Sequence, residues 1–316
     1  MTIKSGLDYI RSRSIVDCDT MDEQGTTVAK TFGPFHDCTS NQAIAYNELI
    51  KPEHDELLHS SLTQAKALIQ EYPGLTIEEL AIEIAMISLS LRIAPDITGH
   101  IHIQTNPYYS YSTEKTIVNA LRIVKLTHRL SPTHPQSHIC IKIPSTWEGL
   151  KACQVLEQAG VRTLATTLFT MPQAILAAEV GCTFKDPSPL LHFSALAQKY
   201  YASIGSQTQV LPASLTSTNE IFALAGVQHI TIAPGLLEEL AKPLEGKVPV
   251  ESLFDSPAVV EGAVPGKEVS YVNDESGYRI AFTRDAGGLS EEKLTQAVNI
   301  FCDMQDKLVQ VFKGLN

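Results

Sequence analysis

A lysine stands inside an apolar run in the segment ICIKIPSTWEGLK (139–151), where an amine can do covalent chemistry. The run alternates, so Cys140 and Lys142 face one way while Ile139, Ile141 and Ile143 face the other. Burying a lone ammonium among isoleucines is costly and favours the neutral amine, the nucleophilic form that adds to a carbonyl as a Schiff base. A lysine at an exposed strand edge, or one paired with a buried carboxylate, gives the same pattern without chemistry. The segment alone leaves these readings open.

The elements that position this lysine follow from the hydrophobic period. Strands are expected at 14–18, 35–39, 99–103, 138–143, 162–168, 182–186, 208–213 and 229–232. Helices are expected near 61–71, 77–93, 114–130, 148–159, 172–180, 192–203, 218–225 and 235–241. Eight strands in a β-then-α rhythm predict an α/β fold of parallel strands, and eight is the number that closes a (β/α)8 TIM barrel. From 243 to 288 the chain is rich in Pro and Gly, without a strong period. Ser290 then reads as an N-cap, and Leu294, Ala297, Phe301, Met304, Leu308 and Val311 fall on one face of a C-terminal helix packed on the barrel. The reading is one domain over 1–316, with 243–316 a linker plus that helix.

In such a barrel chemistry belongs at the C-terminal ends of the strands. Polar residues gather there: Asp17, Asp19 and Thr20; Asp37, Thr39, Ser40 and Asn41; His102, Gln104 and Asn106; Lys142; Thr166 and Thr167; Asp186; Ser214. Each alone is an ordinary cap or turn residue, whereas their coincidence at strand ends points to a site.

Composition narrows the class. With 44% hydrophobic and 19% charged residues, 316 residues bury a substantial core. A net charge of -11 argues against nucleic acid or an anionic membrane as partner. The most apolar stretch, 80–94, is broken by Glu83 and Arg92 and reads as a buried helix. The N-terminus lacks the apolar core of a signal peptide, and the six cysteines form no CxxC pair. These features read as a cytoplasmic protein with reduced thiols. No His/Asp/Cys group has convincing metal-ligand spacing, so no metal and no cofactor is expected.

The chain resembles a transaldolase over nearly its whole length, from about residue 14 to the C-terminal helix. The matching motifs are DTMD (19–22), DCTSN (37–41), KIPSTWEGLKA (142–152), TTLFTMPQA (166–174), AS (213–214), LAG (224–226) and TIAPGLLEEL (231–240). The resemblance implies a closed (β/α)8 barrel and class I aldol chemistry. It makes Lys142 the Schiff-base lysine and Asp19 the group that takes the hydroxyl proton as the carbon–carbon bond breaks. It has Asn41 hold a hydroxyl of the three-carbon fragment, Thr166 orient a water and Ser214 line the groove. Thr39 is taken with them as a substrate contact.

Departures from the family pattern are equally specific. Where transaldolases carry STEVD, this chain has HIQTN (102–106), so Gln104 replaces the glutamate that activates water. An amide holds a water but cannot shuttle its proton near neutral pH. Fructose 6-phosphate aldolases, on the same fold, also resemble this chain in having glutamine there. Leu191 and Thr216 stand where the family carries arginines, and neither can replace a bidentate phosphate contact. Leu164 replaces an asparagine, Ser188 a phenylalanine and Asp186 a serine. His100, His102 and Gln104 share a strand face. His102 and Asp186 are therefore candidates for the missing proton shuttle as well as for substrate contact.

The sequence thus reads as a transaldolase-like enzyme acting through Lys142 on a small-molecule carbonyl substrate that is not a sugar phosphate, in a specialised pathway. One alternative is an ordinary transaldolase moving a dihydroxyacetone unit between sugar phosphates, with Lys185 or Arg162 holding phosphate. Another is an inactive relative that binds a metabolite or partner, against which the joint presence of Lys142, Asp19, Asn41 and Thr166 argues. Family members commonly pair, so a homodimer is also implied, with the C-terminal helix one available contact surface.

Overall fold

The computed structural model describes residues 4–21, 30–186, 191–244, 246, 248–255, 266 and 268–315. Eight strands form one parallel sheet: β1 (Ile15–Asp19), β2 (Cys38–Thr39), β3 (Ile101–Gln104), β4 (Ile139–Pro144), β5 (Arg162–Thr166), β6 (Phe184–Lys185), β7 (Gln209–Val210) and β8 (His229–Ile232). Their order is β7-β6-β5-β4-β3-β2-β1-β8. The seam between β7 and β8 is bridged where Thr231 N–H donates to the Pro212 carbonyl at 3.0 Å, and Val210 N–H to Gln228 Oε1 at 2.8 Å. The result is a nearly closed (β/α)8 barrel, as expected.

The surrounding helices are α1 (Gly6–Arg11), α2 (Gln42–Leu49), α3 (Asp55–Leu68), α4 (Ile77–Ile93), α5 (Thr113–Leu130) and α6 (Trp147–Gln158). They continue as α7 (Met171–Glu179), α8 (Leu191–Ile204), α9 (Thr218–Ala223), α10 (Pro234–Ala241), α11 (Glu275–Arg284) and α12 (Leu289–Gly314). α4 falls on its expected limits because a Thr76/Glu79 capping box starts it and an unbroken apolar pattern carries it. No helix among the described residues is long and apolar enough to cross a membrane.

The alternation read in β4 is borne out. Ile139, Ile141 and Ile143 join the core between sheet and helices, while Cys140 packs inside the barrel with Leu164, Phe184 and Leu211. This small apolar layer divides the barrel interior. The polar groups around Lys142 lie toward the C-terminal ends of the strands, and a histidine–aspartate network lies toward the N-terminal ends.

Two expectations for the C-terminal region need correction. α11 lies within the stretch read as a linker, because its buried face is only Tyr278 and Phe282, stacked at 6.0 Å, too little to print a period. Ser290 is not the N-cap of α12. That place is taken by Gly288 at φ 99°, and Ser290 Oγ donates instead to Asp285 Oδ1 at 2.7 Å. α12 packs against α2 and α4 through Leu294, Val298, Gln305, Leu308 and Phe312, a face rotated slightly from the expected stripe.

Candidate active site

β4 carries Lys142 to the top of the barrel, where the chain leaves the strand in a fixed turn. Ser145 N–H and Oγ both reach the Thr166 carbonyl, at 2.8 and 2.6 Å, tying the ends of β4 and β5 together. Thr146 caps α6 by accepting from Gly149 N–H at 2.8 Å. A Cβ at Gly149 would sit 2.1 Å from the Pro144 carbonyl, which accounts for the glycine in STWEG. After β5, Gln173 acts as a clamp. Its Oε1 accepts from Phe169 N–H at 2.8 Å and its Nε2 donates to the Ser145 carbonyl at 2.9 Å. Thr167 and Ser214, non-glycine residues at φ 57°, sit at the ends of β5 and β7 in a backbone region that costs about 1–3 kcal/mol. Such strain is commonly held at functional sites.

Lys142 is buried, and its Nζ donates to Thr39 Oγ1 at 3.3 Å. Asp186 Oδ2 lies 3.9 Å from the same Nζ. Thr166 Oγ1 donates to Asp186 Oδ2 at 2.9 Å, and Ala213 N–H to Asp186 Oδ1 at 3.2 Å. Lys142, Thr39, Thr166 and Asp186, expected from sequence as one site, are therefore brought together. Burial raises the Asp186 carboxyl above the usual carboxylate range, against the pull of Lys142 and the Thr166 hydrogen bond. Asp19 is pushed up to about 6 by burial, with Lys142 opposing the shift and Asp186 adding to it. Both carboxyls feel the lysine charge, and burial raises each from its ordinary value.

The remaining expected residues are placed less uniformly. Asn41 is the N-cap of α2, its Oδ1 accepting from Ala43 and Ile44 N–H at 2.9 and 3.0 Å. Only its amide donors remain for a substrate. Ser214 is exposed after β7. Gln104 pairs with Lys142 in strand register but gives its amide to Gln42 Oε1 at 2.8 Å, leaving its own buried Oε1 without a hydrogen-bond partner. Ser188 lies outside the described residues. His102 faces away from the substrate end. Its Nε2 lies 3.1 Å from Asp37 Oδ2, and burial lowers its pKa. The reason is the barrel's layering, because an inward residue two positions below Gln104 belongs to the lower polar layer.

Sequence reasoning set Asp17, Asp37 and His102 at the substrate end and missed that they form this lower layer with His36, His100 and His229. Asp37 accepts from the His100 amide at 2.6 Å and lies 2.7 Å from His36 Nδ1, 3.0 Å from His100 Nδ1 and 3.1 Å from His102 Nε2. Burial works against its charge, yet these three histidines outweigh it and hold the carboxyl far below its usual range. Asp17 accepts from the Asp37 amide at 2.9 Å and lies 2.9 Å from His229 Nδ1. Burial and the neighbouring Asp37 raise Asp17, and burial lowers His229 to about 4. The available signal was an aspartate within the apolar run of β1 and histidines at the starts of three apolar runs.

The two basic residues considered for phosphate do not reach the mouth. Lys185 is wholly buried in the wall, 4.4 Å from the Tyr201 ring centroid and 5.0 Å from that of Phe193. Arg162 is exposed at the start of β5, paired with Cys140 and so toward the opposite end from Lys142.

Comparison with known proteins agrees with this architecture. The family model described as Transaldolase/Fructose-6-phosphate aldolase matches residues 16–188 and 184–311. A protein of Fusarium oxysporum f. sp. lycopersici named Transaldolase is 30% identical over 310 residues, covering 88% of this chain and 92% of its own. One of Nostoc sp. with the same name is 32% identical over 270 residues, covering 78% and 79%. Another, of Actinobacillus pleuropneumoniae serotype 3, is 31% identical over 259 residues, covering 75% and 80%. The barrel, the motifs at its strand ends and these matches agree: this chain is an enzyme of aldolase or transferase type and belongs to the transaldolase/fructose-6-phosphate aldolase family.

Proposed function

We propose that this enzyme makes or breaks a carbon–carbon bond through a Schiff base on Lys142, with Asp186 taking over the proton work that Gln104 cannot do. The observation that carries this reading is the contact of Lys142 Nζ with Thr39 and Asp186, with Thr166 bonded to the same carboxyl oxygen. The neutral amine adds to a ketone carbonyl, and the resulting hydroxyl leaves as water with a proton from Asp186, giving the iminium. Asp19 accepts the proton of the hydroxyl on the far carbon of the bond to be broken, that carbon becomes the carbonyl of a departing aldehyde, and the bond's electron pair moves into the iminium. The enamine that remains attacks an acceptor aldehyde, or is protonated and released by water that Asp186 deprotonates. Thr39 and Thr166 orient the amine and the acid, while Asn41 and Ser214 contact the substrate from the rim.

Two substrate readings follow. The name Transaldolase carried by the relatives favours transfer of a dihydroxyacetone unit between sugar phosphates. Favouring a non-phosphorylated carbonyl compound, and a role in a specialised pathway, are Leu191 and Thr216 where the family pattern has arginine, and the burial of Lys185. Leu164 adds to this side, sitting beside Lys142 in register within the apolar layer. Steady-state rates with fructose 6-phosphate and with free dihydroxyacetone as donors, each with an aldehyde acceptor, separate the two. The non-phosphate reading expects a higher kcat/KM with the free ketone and fails if the phosphate donor is preferred by tenfold or more.

A further inference from the structure

We infer that the lower polar layer of the barrel is a binding site for one divalent transition-metal ion of the zinc class, held by Asp17, His36, Asp37 and His229. One ligand atom from each of these four residues lies within 4.8 Å of all the others. Tetrahedral zinc with bonds of about 2.0–2.2 Å places its ligand atoms about 3.4 Å apart. Within the set, His36 Nδ1 and Asp37 Oδ1 are 2.7 Å apart, and His229 Nδ1 and Asp17 Oδ2 are 2.9 Å apart. These two contacts need open by well under 1 Å to reach that spacing, and the other pairs, all within 4.8 Å, adjust to it as the ion binds. Two imidazoles and two carboxylates form an ordinary donor set for such a metal. In the metal-free network protons hold these contacts. On binding, each ring presents Nδ1 to the metal and keeps its proton on Nε2.

The surroundings are built as a metal's supporting layer. Ligating carboxylates are themselves held by hydrogen bonds. Asp37 has His100 Nδ1 at 3.0 Å and His102 Nε2 at 3.1 Å, and Asp17 Oδ1 is fixed by the Asp37 amide. Phe184 closes the layer from above, its ring 5.5 Å from those of His100 and His102 and 5.1 Å from that of His229. Both aspartates are fully buried, whereas the His36 side chain is 37% exposed at the rim and gives the ion a way in. His102 Nδ1, buried beside the cluster, has no hydrogen-bond partner. The ligands come from β1, β8, β2's first approach and the residue before it, so sequence spacing could not reveal them. The ion would staple the starts of β1, β2 and β8. The site is separate from Lys142, and its test needs no turnover.

Chelator-treated protein is incubated with zinc, desalted and analysed for bound metal. In parallel, cobalt is added and the visible spectrum recorded. One equivalent of zinc retained, a zinc-dependent rise in melting temperature and the intense visible bands of tetrahedral cobalt are expected. His36→Ala, at the rim, and His229→Gln should each lower affinity by at least tenfold, whereas exposed His59→Ala should not. His100→Gln should lower it by about 10–100-fold through Asp37. Melting curves without metal show that each variant folds. No retained metal in the native chain, or equal retention in His36→Ala and His229→Gln, overturns the proposal.

Discussion

Replacing Lys185 with methionine should stabilise the protein and leave its turnover unchanged. Lys185 is 0% exposed, and its Nζ has no hydrogen-bond partner. Its pKa is lowered well below the usual value by burial alone. A buried polar group left unsatisfied costs about 1–3 kcal/mol, and methionine fills similar volume without that group. The amine's contacts with Tyr201 and Phe193 offset this only when it is charged, and burial disfavours the charge. At about 2.1 cal/mol/K per residue, a gain of about 1–3 kcal/mol raises the melting temperature by roughly 1.5–4.5 °C. The sign of the pH dependence is fixed. The folded state holds the Lys185 proton less readily than the unfolded chain, so the lysine's cost appears as pH falls below about 10.4 and grows until pH passes the lowered folded value. The variant's advantage should therefore shrink as pH rises toward about 10.4. Thermal melts at neutral and alkaline pH, with kcat/KM on each donor, test this. A variant less stable at neutral pH, or one that loses turnover only with phosphorylated donors, would refute the argument and make Lys185 a substrate contact.

Asp186→Asn should lower kcat by about 100-fold or more, the scale of general acid–base catalysis. Because the Asp186 charge helps hold Asp19 near 6, and Asp19 must be ionised to accept a proton, the acid limb of the kcat–pH profile should also move to lower pH. An unchanged rate and profile would remove Asp186 from the proton path. In Gly99→Ala, the new Cβ would meet Asp37 Oδ1 at 2.2 Å and the His36 ring at 2.4 Å, so a loss of about 1–3 kcal/mol is expected in urea titration. An unchanged midpoint would show that the strand yields freely there. Arg122 donates to both oxygens of buried Glu83 at 2.7 Å, and Arg122→Ala should cost about 3–5 kcal/mol by stranding that charge. The pair Glu83→Leu with Arg122→Met should recover most of the loss, and equal destabilisation of both forms would count against a stranded charge as the cause.

Strands and long helices were legible because burial imposes a period on them. β8 and α4 fall on their expected limits, and Lys142 faces inward because Ile139, Ile141 and Ile143 must face the helices. α1, α2 and α11 were not legible, since a helix that buries two to four residues leaves little periodic trace. The upper site was read from motifs at strand ends, including Asp186, whose bond to Thr166 no spacing could show. The lower layer was hidden for a similar reason. Asp17 and His229 are 212 positions apart and meet only because β1 pairs with β8 in a barrel.

Borohydride reduction followed by peptide mapping tests the Schiff base at Lys142 most directly. The protein is incubated with dihydroxyacetone in one sample and fructose 6-phosphate in another, reduced and digested. A three-carbon adduct on the peptide carrying Lys142, absent in Lys142→Ala, is the expected result. An adduct from the free ketone alone also supports the non-phosphate reading, and one from the sugar phosphate supports ordinary transfer. No adduct from either compound, or one on a different lysine, would contradict the account.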